Sequence, residues 1–218
     1  MKRFLLLVAS LFVGYVGYNG SQATAQTAQK LTLEDITGGK YNPQYVYGVN
    51  PMKDGESYTQ LSNDSKRIIR RSFKTGKELG VVFDAETARG PKKLEAIDGY
   101  IMSPDERRIL LRTQTRPIYR RSYTAVYYIY DVENKKFEAL SDGGPQQMPT
   151  FSPDGNSIAF VRDNNLFLVK LLFGNAESQI TKDGKFNEII NGLPDWVYEE
   201  EFSTNRSFDF SSDSQMLA

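Results

Sequence analysis

Much of the chain is written in short apolar runs separated by turn-forming residues. Thr124-Ala125-Val126-Tyr127-Tyr128-Ile129-Tyr130 and Leu166-Phe167-Leu168-Val169 are rich in β-branched and aromatic side chains, the composition of pleated, half-buried strands. The runs recur around one local pattern, an apolar residue followed by Ser-x-Asp. It occurs as Leu61-Ser62-Asn63-Asp64, Met102-Ser103-Pro104-Asp105, Phe151-Ser152-Pro153-Asp154 and Phe210-Ser211-Ser212-Asp213. A second apolar stretch follows each aspartate: Ile68-Ile69, Ile109-Leu110-Leu111, Ile158-Ala159-Phe160 and Leu217-Ala218. Such a turn reverses the chain tightly, because Pro presets φ, Asp caps its own backbone and Gly155 accepts a positive φ.

Short strands repeating every ~40 to 50 residues have the period of a propeller blade. The pattern predicts an all-β chain, a partial β-propeller of about three to four blades. Residues 26–50 are expected to be a lead-in and residues 51–218 the blades, ending within the fourth repeat. The clearest blade, Gln147 to about Lys182, is predicted to have strands ending at Phe151-Ser152, at Ser157–Arg162, at Leu166–Leu172 and at Ser178–Thr181. Its central turn is placed at Asp163-Asn164-Asn165. A β-sandwich with incidental Ser-x-Asp turns is the alternative, which four similarly placed turns disfavour.

The N-terminus follows a different rule. Lys2 and Arg3 precede an apolar stretch, Phe4 to Val13, broken only by Ser10, and Ala23-Thr24-Ala25 supplies an A-x-A site. The apolar core is about 10 residues, short of the ~20 that span a bilayer. Residues 1–25 therefore read as a cleaved signal peptide and the product as exported, to the periplasm, cell surface or medium.

Composition narrows the chemistry. Of 218 residues, 39% are hydrophobic, and 27 basic side chains balance 27 acidic ones. That suffices for a core and gives no reason to expect nucleic acid as a partner. Cysteine and histidine are both absent. Thiolate sites are excluded, the usual zinc ligands are missing, and a Ser-His-Asp triad lacks its proton acceptor. No catalytic residue, metal or cofactor is assigned to these residues.

Two segments interrupt the repeat. Between Lys182 and Phe208 lies an insertion containing Asn191-Gly192-Leu193-Pro194 and then Asp195-Trp196-Val197-Tyr198-Glu199-Glu200-Glu201-Phe202. Asp195 is a fair N-cap for a short helix, and insertions in repeat proteins often emerge on the binding face. Adjacent helical positions point about 100° apart, so two of the glutamates could converge on a cation but not all three. A solvated acidic helix end is the plainer reading of the same charges. The second segment, Arg116-Pro117-Ile118-Tyr119-Arg120-Arg121-Ser122-Tyr123, reads as a long hairpin loop with solvated arginines. Arginine is equally suited to holding a carbonyl or carboxylate by forked hydrogen bonds.

At these residues the chain resembles the dipeptidyl peptidase IV family of prolyl-oligopeptidase-type serine peptidases. The run from Asn191 to Glu201 resembles that family's acidic signature, and Arg120 to Ala125 with Tyr128 to Asp131 its arginine-bearing loop. The resemblance extends over essentially the whole mature chain, including Leu31 to Tyr41. It implies an eight-bladed propeller over an α/β-hydrolase domain, which these residues do not contain; there is no G-x-S-x-G here. It further implies that Glu200 and Glu201 bind the free α-amino group of a peptide, with Glu199 flanking. Arg120 would contact the carbonyl of the substrate's second residue. The implied enzyme is a serine-type dipeptidyl peptidase acting on peptides with a free N-terminus and penultimate Pro or Ala, with a homodimer as one candidate state of the full-length protein. A non-enzymatic periplasmic propeller scaffold is the competing function; the triple-glutamate insertion speaks for the peptidase.

Overall fold

The computed structural model describes residues 30–43 and 45–218; the expected signal peptide lies outside them. The described residues fall into two compact units, one ending at Tyr45 and one running Val46–Ala218. In the first, helix α1 (Leu33–Thr37) opens with a capping box. The Thr32 hydroxyl accepts the Asp35 N–H, and the Asp35 carboxylate accepts the Thr32 N–H.

The second unit is built of three four-stranded antiparallel sheets. The first holds β1 (Asn50–Pro51), β2 (Ser57–Leu61), β3 (Arg67–Ser72) and β4 (Glu78–Asp84). The second holds β5 (Gly99–Met102), β6 (Arg108–Pro117), β7 (Tyr123–Asp131) and β8 (Lys136–Ala139). The third holds β9 (Gln147–Phe151), β10 (Ser157–Arg162), β11 (Asn165–Lys170) and β12 (Ala176–Gln179). In each sheet the strands neighbour one another in sequence order. A fourth sheet begins where Phe210 pairs with Leu217. This is a partial β-propeller, as the repeat predicts.

The strand boundaries of the third sheet differ slightly from expectation. Asn165 belongs to β11, because Arg162 pairs directly with Asn165 across a two-residue turn. Asp163 and Asn164 both have positive φ, 49° and 59°, the conformation that matches the twist of a tight hairpin. β11 ends at Lys170 in a 3-10 turn, Leu171–Phe173, closed by left-handed Gly174. The chain thus reverses early, and the outer strand starts at Ala176.

A larger correction concerns the first repeat. Ser103-Asp105 and Ser152-Asp154 join the first and second strands of their sheets, whereas Ser62-Asp64 joins the second and third strands, β2 and β3. The equivalent turn of the first sheet is Met52-Lys53-Asp54-Gly55. There Met52 N–H donates to the Ser57 carbonyl (2.9 Å), as Ser103 N–H does to Arg108 (2.8 Å) and Ser152 N–H to Ser157 (2.8 Å). Met stands where the others have Ser, and Ser57 supplies the missing hydroxyl to Asp54 at 2.7 Å.

The Ser-x-Asp turns share one wiring. The serine hydroxyl donates to the aspartate at 2.5–2.6 Å and accepts the N–H five residues on at 2.9 Å, in Ser62, Ser103, Ser152 and Ser211 alike. The residue after Asp is left-handed each time, at Ser65, Glu106, Gly155 and Ser214. The equivalent turns also touch in sequence. Lys53 N–H donates to Glu106 (2.5 Å), Arg108 to the Gly155 carbonyl (3.4 Å), and Asp154 N–H to the Ser214 hydroxyl (3.0 Å).

The sheets pack face to face, so the middle strands are buried on both sides and read as continuous apolar runs. In β6, Ile109 and Leu111 join Ile68, Phe83 and Tyr130 between the first and second sheets. Leu110, between them in sequence, joins Ile158, Phe160 and Phe167 between the second and third. Ala159 and Val161 face the opposite side, with Leu166 and Phe208.

Candidate functional site

The β6–β7 hairpin runs beyond its own sheet. A bulge between Thr113 and Arg116, with Gln114 at φ 53°, breaks the register, and Arg116 then pairs with Thr124. Thr115 N–H is taken up by Asp98 at 2.8 Å. At the hairpin's base, the Arg112 guanidinium lies 4.7 Å from the Tyr123 ring centroid and donates to its hydroxyl at 2.5 Å. The tip closes through Ile118 N–H to the Ser122 carbonyl, 2.9 Å, and carries Arg120 and Arg121.

The insertion is fastened at its base. Asn191 N–H donates to the Asn164 carbonyl (3.0 Å), and Ser207 N–H to the Gly192 carbonyl (2.9 Å). Gly192 has φ +80°, and a Cβ there would sit 2.8 Å from Val161 Cγ2, so glycine is required both by conformation and by close approach. Leu193 packs against the Val161, Leu166 and Phe208 cluster. From this base rises helix α2 (Trp196–Phe202), with Asp195 as N-cap accepting the Tyr198 N–H at 3.1 Å. Left-handed Ser203, φ 58°, ends it.

The three glutamates of α2 have three environments. Glu199 is only 3% exposed. Its Oε1 accepts the backbone N–H groups of Arg121 (2.7 Å) and Ser122 (2.9 Å). Burial pushes its carboxyl up, but the Ser122 side chain, these two N–H groups and the Arg121 charge outweigh it and hold the acid below its ordinary range. Glu200 has most of its side chain buried and forms an ion pair with Arg120, Nε to Oε2 3.0 Å. Glu201 is exposed and has no hydrogen-bond or ion-pair partner among the described residues.

Of the three residues singled out from sequence, Arg120 and Glu200 are thus brought together, and Glu201 stands one helical step away with an open carboxylate. Glu199, assigned only a flanking place, is the one buried against the hairpin. Three identical residues in a row gave no signal to separate them. Behind the hairpin tip lies a cleft of about 400 Å³ lined by Ile118, Tyr119, Ser122, Phe186, Ile190 and Glu199 among others. Among the described residues no cluster of three or more His, Cys, Asp or Glu could hold a metal ion. The arrangement can hold a small organic cation by two carboxylates while one arginine offers donors to a neighbouring acceptor.

The chain is similar to known proteins over most of its length. The family model described as the dipeptidyl peptidase IV (DPP IV) N-terminal region matches residues 103–218. A probable dipeptidyl-aminopeptidase B of Colletotrichum graminicola is 46% identical over 222 residues, covering 93% of this chain and 24% of that protein. The prolyl endopeptidase FAP of Mus musculus is 36% identical over 194 residues, covering 88% of this chain and 24% of its own. The crystal structure of Porphyromonas gingivalis dipeptidyl peptidase 4 superposes with a TM-score of 0.78 at 39% identity, covering 87% of this chain and 27% of that one. The chain spans about a quarter of the length of the curated relatives it matches.

Proposed function

This chain belongs to the family of dipeptidyl peptidase IV N-terminal regions, and on that premise we propose that it is the propeller part of a serine-type dipeptidyl peptidase. In this reading the propeller admits peptides and binds their free N-terminus, so that N-terminal X-Pro or X-Ala dipeptides are removed. The nucleophile and its partners would come from an α/β-hydrolase part of the same polypeptide. The protein is exported.

The observation that carries the reading is the charge arrangement on α2. Glu200 and Glu201 contribute two negative charges and Arg120 one positive, which leaves the site one charge short of neutral. A peptide α-ammonium supplies the missing charge and no more. With Arg120 already matched to Glu200, the open Glu201 carboxylate leaves an unbalanced negative charge on α2 that an arriving cation offsets. Arg120, already oriented by Glu200, then presents its remaining donors to a substrate carbonyl, a charge-assisted contact.

The test is turnover by the full-length protein of a Gly-Pro or Ala-Pro chromogenic amide, beside the same amide with an acetylated N-terminus. Release from the free peptide and none from the acetylated one is the expected result. Equal release from both would remove the role given to Glu200 and Glu201.

A further inference from the structure

Glu199 is a buried acid that the proposed recognition of the N-terminus does not use. Its neighbour Glu200 meets a side chain, whereas Glu199 meets backbone. The two N–H groups it accepts belong to Arg121 and Ser122, 78 and 77 residues away in sequence, at distances of 2.7 and 2.9 Å. Beyond the bulge at Gln114, the tip residues 118–122 have no other backbone hydrogen bond to anything outside the hairpin among the described residues. The tip's ion pair, Arg120–Glu200, is made by an arginine side chain that is 71% exposed. A long exposed side chain cannot by itself fix where its own backbone sits.

We propose that Glu199 is a positioning residue: its carboxylate clamps the tip of the arginine hairpin to α2 and so fixes Arg120 beside Glu200 before substrate arrives. The chemistry suits the task. A carboxylate accepting two main-chain N–H groups makes charge-assisted bonds whose geometry is independent of side-chain rotamers on the hairpin. The two main-chain bonds themselves do not depend on which side chains stand at Arg121 and Ser122. Adjacent glutamates on one helical turn thereby divide the work, Glu199 setting the position of the loop and Glu200 the direction of the guanidinium. Without the clamp, Arg120 must be ordered at the expense of substrate binding, so the loss falls on KM rather than on kcat.

The inference rests on the function proposed above, and its test separates the two. In the full-length protein, Glu199→Ala is expected to raise KM for an Ala-Pro amide about tenfold with kcat changed less than about threefold, and Glu199→Gln to lie between it and wild type. Combining Glu199→Ala with Arg120→Ala should give no greater loss than the worse single change, because both act through one group. Hydrogen exchange read at the Arg121 and Ser122 amides should quicken in both Glu199 variants while β6 and β7 below the bulge keep their protection. Unchanged exchange at those two amides, or losses that add in the double variant, would overturn the clamp. If wild type cleaves no such amide, the proposed function fails, and the exchange measurement still decides whether Glu199 holds the hairpin.

Discussion

Arg120 and Glu200 meet at 3.0 Å across two elements, with the glutamate side chain 18% exposed and the arginine side chain 71% exposed. The acid is thus the fixed partner and the arginine the one that reaches in from solvent. Truncating each should have unequal consequences in the full-length enzyme. Glu200→Ala and Glu201→Ala are each expected to cost about 2 to 5 kcal/mol in kcat/KM on a dipeptidyl substrate, the range for removing one partner of a desolvated charge pair. Arg120→Ala, which loses a charged donor to a neutral carbonyl, should cost about 1.5 to 3 kcal/mol. Steady-state kinetics with circular dichroism to check folding measures all three. Near-wild-type values for both glutamate variants would show that the ammonium binds elsewhere.

The Glu199 contact carries a pH signature. Its carboxyl is held below the ordinary value of 4.5 in the folded state. A depressed folded pKa gives a contribution that is complete above the unfolded value and lost as pH falls through the folded one. The hairpin should therefore stay docked from neutral pH down to about 5 and loosen only in stronger acid. Trp196, the single tryptophan, lies on the same helix, and its fluorescence should be flat above that range and change below it. A transition between pH 7 and 5 would contradict this.

Gly192 is expected to be intolerant of a side chain. Alanine there must adopt φ +80° and place its Cβ 2.8 Å from Val161 Cγ2 and 3.2 Å from the Phe208 ring. Strain of this kind costs on the order of 1–3 kcal/mol before any clash is counted. Since Gly192 closes the base of the insertion, Gly192→Ala should lower the melting temperature and also weaken substrate binding. A variant that melts and binds like wild type would show that the base does not hold the helix.

The 218-residue chain expressed by itself should associate and should not hydrolyse an X-Pro amide. β4 is an edge strand of its sheet, and Leu79 (57% exposed) and Val81 (45%) stand open on it. An edge with exposed apolar residues invites pairing with another chain. Without histidine, no base is at hand to activate a serine. Size-exclusion chromatography and a chromogenic assay check the two parts. A monodisperse monomer with a sharp melt, or turnover blocked by a serine-directed reagent, would contradict them.

What could be read from sequence was what repeats. Ser103-Pro104-Asp105 and Ser152-Pro153-Asp154 announce their turns because the hydroxyl and carboxylate that wire each turn are both in the motif. The first sheet's equivalent was hidden, since Met52 carries no hydroxyl and the serine that completes the turn, Ser57, comes from the following strand. Ser62-Asp64 kept the motif but joins a different pair of strands, and local chemistry cannot report which strands a turn connects. Asp195 as N-cap was legible for the same local reason. Arg120, Glu200 and Glu201 were singled out through family resemblance, but the ion pair between Arg120 and Glu200 and the burial of Glu199 both depend on a hairpin almost eighty residues earlier, a distance no local pattern spans.

The turns that touch from one sheet to the next have one property in common: each contact uses a main-chain atom on one side. Lys53 and Asp154 give their N–H and Gly155 its carbonyl. Such a seam reads the length of the loop more than the identity of its residues. Point substitutions at Lys53, Asp154 or Gly155 can drift while the contacts persist, provided Glu106, Arg108 and Ser214 supply their side chains, but a single inserted residue would move the main-chain partner out of reach of the next sheet. Variation among propellers of this kind should accordingly spare the length of these turns and place insertions elsewhere, as with the segment that carries α2.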